Sequence, residues 1–344
     1  MKTLVYFGLK YLLRFYNHIY FRSVKVYGIK NIPSDGGVLY SPNHQGAFLD
    51  PLLIGSITPG KVTSLTRSDV FGGPLQWFLN ALQMLPVYRI RNGYENLKKN
   101  DAIFEQCYDI LGDSKNIMMF SEGGHHNEYF LQRLSKGSSR LAFLAHKKNP
   151  SQKIYLQPVG INYGHHQQPR CTLHLVFGNP IEVGALIKPN LTDAENINLL
   201  KEELQGRMAA CMWLPNHDEH YLDRKIRING ETTLKDFFTL KEALAKDWKK
   251  MPCRKNHSSL IKFLAFLLFI PSFVPLLISR FIINKFEDIV FVSSMKYALG
   301  IFFFPIWWVL SGFILGNIFS IQLALFYIGV SIITLFYREN ILLY

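Results

Sequence analysis

Short apolar runs alternate with longer stretches of mixed polarity over roughly the first two thirds of the chain, and beyond that the polar residues nearly vanish. Gly37–Ser41, Val62–Thr66, Asn116–Phe120, Ile154–Ile161 and Thr172–Phe177 read as strands. Helical spacing fills the gaps between them, most clearly over 51–57, 93–111 and 137–147. Alternation of this kind predicts an α/β domain, a mostly parallel sheet flanked by helices, over residues 25–215. In such sheets the functional groups gather in loops beyond the strand C-termini. Residues 193–212 and 231–250 read as charged amphipathic helices joined by the polar stretch Pro215–Asp223, which makes residues 216–256 a charged helical connector.

The two ends of the chain carry a different pattern. In residues 1–24, Leu4, Val5, Leu9, Leu12, Phe15, Tyr16 and Ile19 share one helical arc, and Lys10, Arg14, Asn17 and His18 share the other. This predicts an amphipathic helix at the membrane interface, and the same pattern also suits a helix docked on the domain. Lys10 and Arg14 interrupt the apolar run and no small-residue cleavage site follows, so it does not read as a signal peptide. At the other end, residues 257–344 predict membrane segments. The 41 residues between Lys296 and Arg338 contain no Asp, Glu, Lys or Arg. One crossing of a ~30 Å hydrocarbon core takes about 20 residues, so this run suffices for a hairpin turning near Gly316–Gln322. Phe263–Ser279 is also uncharged but short, and Pro271 and Pro275 bend it. A re-entrant segment puts Arg254, Lys255, Arg280, Lys285, Lys296 and Arg338 on one side, which the positive-inside rule makes the cytoplasmic side and the side of the catalytic domain.

Charge sharpens this picture. The formal net charge is +13, of which residues 1–256 carry +11 and residues 257–344 only +2. A basic body on an apolar tail suits work on anionic membrane lipids, where each surface Lys or Arg contributes roughly 1 kcal/mol. Nucleic acid is not the expected partner, because no basic-aromatic run, finger spacing or dinucleotide-binding glycine pattern occurs. The four cysteines lie far apart with no C-x-x-C pair, so free thiols are expected. The pairs His125-His126 and His165-His166 have no zinc-type spacing around them, and adjacent residues of an extended chain point to opposite sides. No metal or cofactor is expected.

Chemistry concentrates after the first expected strand of the domain, in Tyr40-Ser-Pro-Asn-His-Gln-Gly-Ala-Phe-Leu-Asp50-Pro. Pro42 ends the strand. Asp50-Pro51 reads as a helix N-cap followed by the first helical residue. His44 before the helix and Asp50 at its start can meet, the imidazole as general base and the carboxylate fixing its tautomer.

Asn43-His44 and Asp50, on an α/β chain with membrane segments, resemble the first motif of the glycerolipid acyltransferases, which include lysophosphatidic-acid and glycerol-3-phosphate acyltransferases. Three further blocks follow in that family's order. Met84-Leu-Pro-Val-Tyr-Arg89-Ile-Arg91 resembles the block whose arginine binds the acceptor phosphate; Arg89 falls on that position and Arg91 is the nearby alternative. Phe120-Ser-Glu122-Gly123 resembles Phe-Pro-Glu-Gly, whose Glu and Gly shape the acceptor site. Ile154-Tyr-Leu-Gln-Pro158-Val159 resembles the apolar strand near the acyl donor. The likeness spans about residues 25–185. It departs from the common pattern in two places: five residues instead of four separate His44 from Asp50, and Ser121 replaces a proline.

The resemblance implies a membrane-bound O-acyltransferase of phospholipid biosynthesis. Its co-substrate would be an acyl-coenzyme A or acyl-carrier-protein thioester and its acceptor the hydroxyl of lysophosphatidic acid. His44 and Asp50 would be catalytic. Asn43, Arg89, Arg91, Glu122, Gly123 and Lys136 would bind substrate, Lys136 because a helix starting at Gly137 brings backbone donors and an ammonium together. The alternatives are glycerol 3-phosphate or another lipid as acceptor, or an inactive membrane-tethered lipid-binding protein. Groups that stabilise the tetrahedral oxyanion are not identifiable from sequence.

Overall fold

A computed structural model describes residues 2–73, 76–88, 97–253, 257–286 and 288–342. Among them, eight strands form one sheet in the order β1-β7-β6-β2-β5-β3-β4, with β8 also pairing β6. The strands are β1 (Ser23–Tyr27), β2 (Gly37–Pro42), β3 (Val62–Arg67), β4 (Met84–Val87), β5 (Asn116–Met118), β6 (Ile154–Tyr163), β7 (Thr172–Phe177) and β8 (Ile181–Glu182). Pairing is parallel throughout, except that β7 and β8 run antiparallel to β6. The sheet is therefore mostly parallel and flanked by helices, as the alternating pattern predicts.

Every residue of β2, β6 and β7 is buried, as expected of strands covered on both faces. The five strands expected from sequence are present. Three others were not expected, and their context explains why. β1 and β4 each pair with a single neighbour and β8 has two residues, so local pattern carries little of their identity. Leu39, Leu141, Leu156, Leu200 and Leu204 close the core on one face, so the helix Asp193–Ala210 belongs to the α/β body. In the connector the helix expected over 231–250 is shorter, Phe237–Lys246 flanked by single 3₁₀ turns, and a short helix, Tyr221–Lys225, forms where a polar joint was expected to end. Tyr221, Phe237 and Leu240 pack it onto Val176 and Trp213 at the β7 side of the sheet.

The N-terminal helix, Lys2–Tyr20, docks with its polar arc turned partly inward. Lys10 Nζ donates to the carbonyls of Thr58 and Gly60, and Asn17 Nδ2 donates to Ser56 Oγ at 3.0 Å. A cation there satisfies carbonyls at the C-terminus of the helix Leu49–Ile57, where the helix dipole favours it. Leu4, Leu12, Phe15 and Ile19 remain exposed on the opposite side. Docking and an outward apolar stripe thus coexist on one helix.

Two C-terminal helices, Phe291–Ile318 and Ile321–Ile341, are long and apolar enough to cross a membrane. The turn between them falls where the charge-free run predicts it. The first begins upstream of that run and so includes Lys296, whose ammonium donates to the Gln167 carbonyl at 2.9 Å. Ahead of them, Ser259–Leu267 and Ile270–Ile283 meet at a 48° bend. Pro271 lies at that bend, and its carbonyl accepts bonds from Tyr327 and Ser331 hydroxyls, both at 3.1 Å.

Candidate active site

The C-terminal ends of β2, β3, β4 and β5 converge on a cavity of about 510 Å³. Arg67 closes β3, Val87 closes β4, and His44 and Phe120 each stand two residues beyond their strands, β2 and β5. All four line the cavity, together with Phe48, Gly123, His125 and Phe291. This is the edge at which a parallel sheet is expected to carry its site.

His44 Nδ1 lies 2.8 Å from Asp50 Oδ2. Asp50 is fully buried, whereas the His44 side chain keeps 14% of its surface exposed. Asp50 is not the helix cap expected from sequence. The helix begins at Leu49, with Phe48 before it, so Asp50 lies inside the first turn. From there the carboxylate faces back into the loop: Oδ2 also accepts the Gln45 and Gly46 N–H groups at 2.9 and 2.8 Å. Oδ1 accepts the Tyr163 hydroxyl at 2.6 Å. Burial, and then the Asp50 charge, push the Tyr163 phenol well above its usual range, which keeps it a donor. Burial holds His166 down at about 4, so this neighbour is neutral and does not compete for Asp50. With Nδ1–H directed at Asp50, the lone pair of His44 is on Nε2. Gly46 is required by close approach, because a Cβ there would stand 2.6 Å from Asp50 Oδ1.

The loop after β5 frames His44 from the other side. Phe120 stacks on the imidazole with ring centres 3.8 Å apart. The buried Glu122 carboxylate accepts the His44 backbone N–H at 2.8 Å and the Gln132 N–H at 2.9 Å, and lies 3.3 Å from His126 Nε2. Gly123 follows at φ 72°, a left-handed conformation that favours glycine. Ser121, where the family pattern has proline, is bound into a buried hydroxyl chain with Ser41 and Ser138. The hydroxyl that replaces the proline ring is therefore anchored, not loose.

The residues expected to bind substrate fall into different places. Gly123 lines the cavity, and Glu122 organises the loop behind it. Asn43 is fully buried, and its amide exchanges two hydrogen bonds with the Ile161 backbone, at 3.1 and 2.6 Å. It extends the β2–β6 pairing by one side chain and so holds His44 in place. Lys136 is exposed at the start of the helix Gly137–Lys148 and is not part of the cavity wall. Arg89 and Arg91 lie outside the described residues. Sequence reading passed over Arg67 and Tyr163. Arg67 was findable as a cation at the C-terminal end of an expected strand. Tyr163 was not, since only the fold brings it to Asp50. The C-terminal part of the chain also reaches the site: His125 Nε2 lies 2.8 Å from Asp288 Oδ2, just ahead of the helix Phe291–Ile318, and His125 holds that carboxyl below its ordinary range.

Residues 23–162 match the family model described as Acyltransferase. Two proteins of Saccharomyces cerevisiae, glycerol-3-phosphate O-acyltransferases 1 and 2, are 30% identical to this chain over 82 and 84 residues. Those matches cover 24% of this chain and 11% of each relative's length. Among solved structures, the 1-acyl-sn-glycerophosphate (LPA) acyltransferase PlsC from Thermotoga maritima aligns with a TM-score of 0.42 and 17% identity. That alignment covers 60% of this chain and 80% of the other, a likeness too distant to bear on function. The acyltransferase match spans the strands and loops that build the His44–Asp50 site, so the chain is similar to that family over the part that carries the site.

Proposed function

We propose that the protein transfers a fatty acyl group from a coenzyme A or acyl-carrier-protein thioester to the hydroxyl of lysophosphatidic acid at a membrane surface. The observation that carries this reading is the His44–Asp50 pair, with His44 lining a cavity walled in part by Phe291 of a helix long and apolar enough to cross a membrane. His44 Nε2 takes the acceptor's hydroxyl proton as the oxygen attacks the thioester carbonyl. The tetrahedral intermediate then collapses, the carbon–sulfur bond breaks, and the imidazolium returns its proton to the leaving thiolate. Asp50 stabilises the imidazolium between these steps. No covalent acyl-enzyme is needed.

Glycerol 3-phosphate is the second reading, favoured by the names of the two yeast relatives. Purified protein with labelled acyl donor, offered lysophosphatidic acid, glycerol 3-phosphate and phosphate-free monoacylglycerol, separates them. Highest kcat/KM with lysophosphatidic acid supports the first reading; preference for glycerol 3-phosphate replaces it.

Either phosphate calls for a guanidinium. The family resemblance gives that role to Arg89, and Arg67 offers a second one from the cavity wall, where Asp69 holds it through both Nε, at 3.0 Å, and Nη2 and leaves Nη1 for a ligand. A charge-assisted hydrogen bond contributes roughly 1.5–3 kcal/mol, so Arg67→Ala and Arg89→Ala should each raise the acceptor KM by roughly 10–100-fold. The donor KM should change much less. Equal effects on both substrates would remove the altered arginine from the phosphate site.

The catalytic domain is placed on the cytoplasmic side in this reading, with Ser259–Ile283 re-entrant. Support comes from both flanks of that segment touching the catalytic domain. Upstream, Met251 belongs to the buried cluster that contains Val176 and Trp213 of the α/β domain, and downstream Asp288 meets His125. Native Cys253 and an Asn284→Cys substitution, the latter in a Cys253→Ser background, should therefore both react with impermeant maleimide from the cytoplasmic face of oriented vesicles. Labelling of residue 284 only from the opposite face would mean three crossings.

A further inference from the structure

The five residues between His44 and Asp50 form a turn that needs outside support. Leu49 N–H donates to the Gly46 carbonyl at 2.8 Å, and Ala47 between them sits at φ 43°. A residue with a side chain is strained in that left-handed region, so the turn is held by its contacts, not by its own preference. One set of contacts is internal: the Gln45 and Gly46 N–H groups on Asp50. The other comes from the membrane. Ser294, near the start of the crossing helix Phe291–Ile318, donates its hydroxyl to the Gly46 carbonyl at 2.7 Å and accepts the Leu49 N–H at 3.0 Å.

A serine in an apolar helix ordinarily bonds back to its own backbone. Ser293 does so, through the Val290 carbonyl at 3.2 Å, and is equally buried from solvent. Ser294 instead bridges both ends of the catalytic turn, across more than 240 positions of sequence. The same stretch of helix puts Phe291 in the cavity wall, Lys296 on Gln167 and the Tyr297 hydroxyl on Asn17 Oδ1 at 2.6 Å. Ser294 is thus a fixed point on a helix that is itself tied to the domain at several places.

We infer that Ser294 is a positioning residue for acyl transfer, through which the first membrane crossing holds the His44–Asp50 turn in its reactive geometry. This rests on the roles proposed above for His44 and Asp50. Misplacing a catalytic group by ~1 Å can cost about 10²-fold in rate, and Ser294 is buried outside the cavity wall, so its loss acts on turnover more than on binding.

The test uses the full-length protein in detergent with three variants: Ser294→Ala, Ser294→Thr and Ser293→Ala. Ser294→Ala should lower kcat by roughly 10–100-fold, with the KM of each substrate held within about twofold. Ser294→Thr, which keeps the hydroxyl, should recover most of the loss, and Ser293→Ala should behave as the parent. Hydrogen exchange in the peptide containing residues 45–50 should accelerate in Ser294→Ala alone. Undiminished kcat with unchanged exchange at Leu49 overturns the inference. So does an equal loss in Ser293→Ala and Ser294→Ala accompanied by a common fall in thermal midpoint, which would make both serines packing residues. Should the parent protein acylate none of the offered acceptors while Ser294→Ala still speeds exchange at Leu49, the function reading fails and the clamp on the turn stands.

Discussion

His44→Ala is expected to lower acyl transfer by about 10²–10⁴-fold, the usual contribution of a positioned general base, while the protein stays folded. Folding should survive because the imidazole is partly exposed to the cavity. The surrounding loop is held by groups that alanine retains. The residue-44 N–H still reaches Glu122, and its carbonyl still accepts the His126 N–H, at 3.1 Å in the parent. Loss of the Phe120 stacking contact removes a local packing interaction only. The measurement is initial rate with saturating donor and acceptor, beside the thermal midpoint in the same detergent. A variant that turned over near the parent rate would remove His44 from the mechanism.

The second large effect is expected from Asp50→Asn, at roughly 10²–10³-fold in kcat. Oδ2 takes three N–H groups and Oδ1 only the Tyr163 hydroxyl. An asparagine can therefore keep its oxygen toward the three donors and turn its NH₂ toward Tyr163, whose hydroxyl can rotate to accept. Geometry is nearly conserved, and what is lost is the negative charge that steadies the imidazolium. The loss should fall on kcat, with both KM values little altered. Tyr163→Phe offers the comparison, since it removes one bond to Asp50 and leaves the charge: its effect should be smaller by at least an order of magnitude, following a net hydrogen-bond value of about 1 kcal/mol. An Asp50→Asn enzyme as active as Tyr163→Phe would show that the charge is not used.

These two residues were legible in the chain because their signal is local. Asn43-His44 and Asp50 lie within one loop, Pro42 marks where the strand stops, and a strand–loop–helix step in a parallel sheet opens at the functional edge. The strands that could be read were those with continuous apolar runs, and β6 and β7 are buried along their whole length for that reason. The paired apolar helices, each long enough to cross a membrane, were equally plain, because a run of 41 uncharged residues suffices for two of them. Edge strands β1 and β4 were silent, since they owe their conformation to one neighbour each.

Tertiary structure decided what long-range contact alone can decide. It set Asp50 inside the first helical turn, brought Tyr163 to it from 113 positions away, and buried Asn43 against Ile161. It turned Lys10 and Asn17 of the first helix inward, because the C-terminus of a second helix offered carbonyls, and a hydroxyl, that needed donors. It also brought Ser294 and Asp288 of the C-terminal apolar part to the loops around His44. The period of apolar residues along a chain records which faces are buried, and a motif records which side chains share a loop. Neither records which distant backbone group a buried polar side chain will satisfy, and in this protein those pairings hold His44 and Asp50 together.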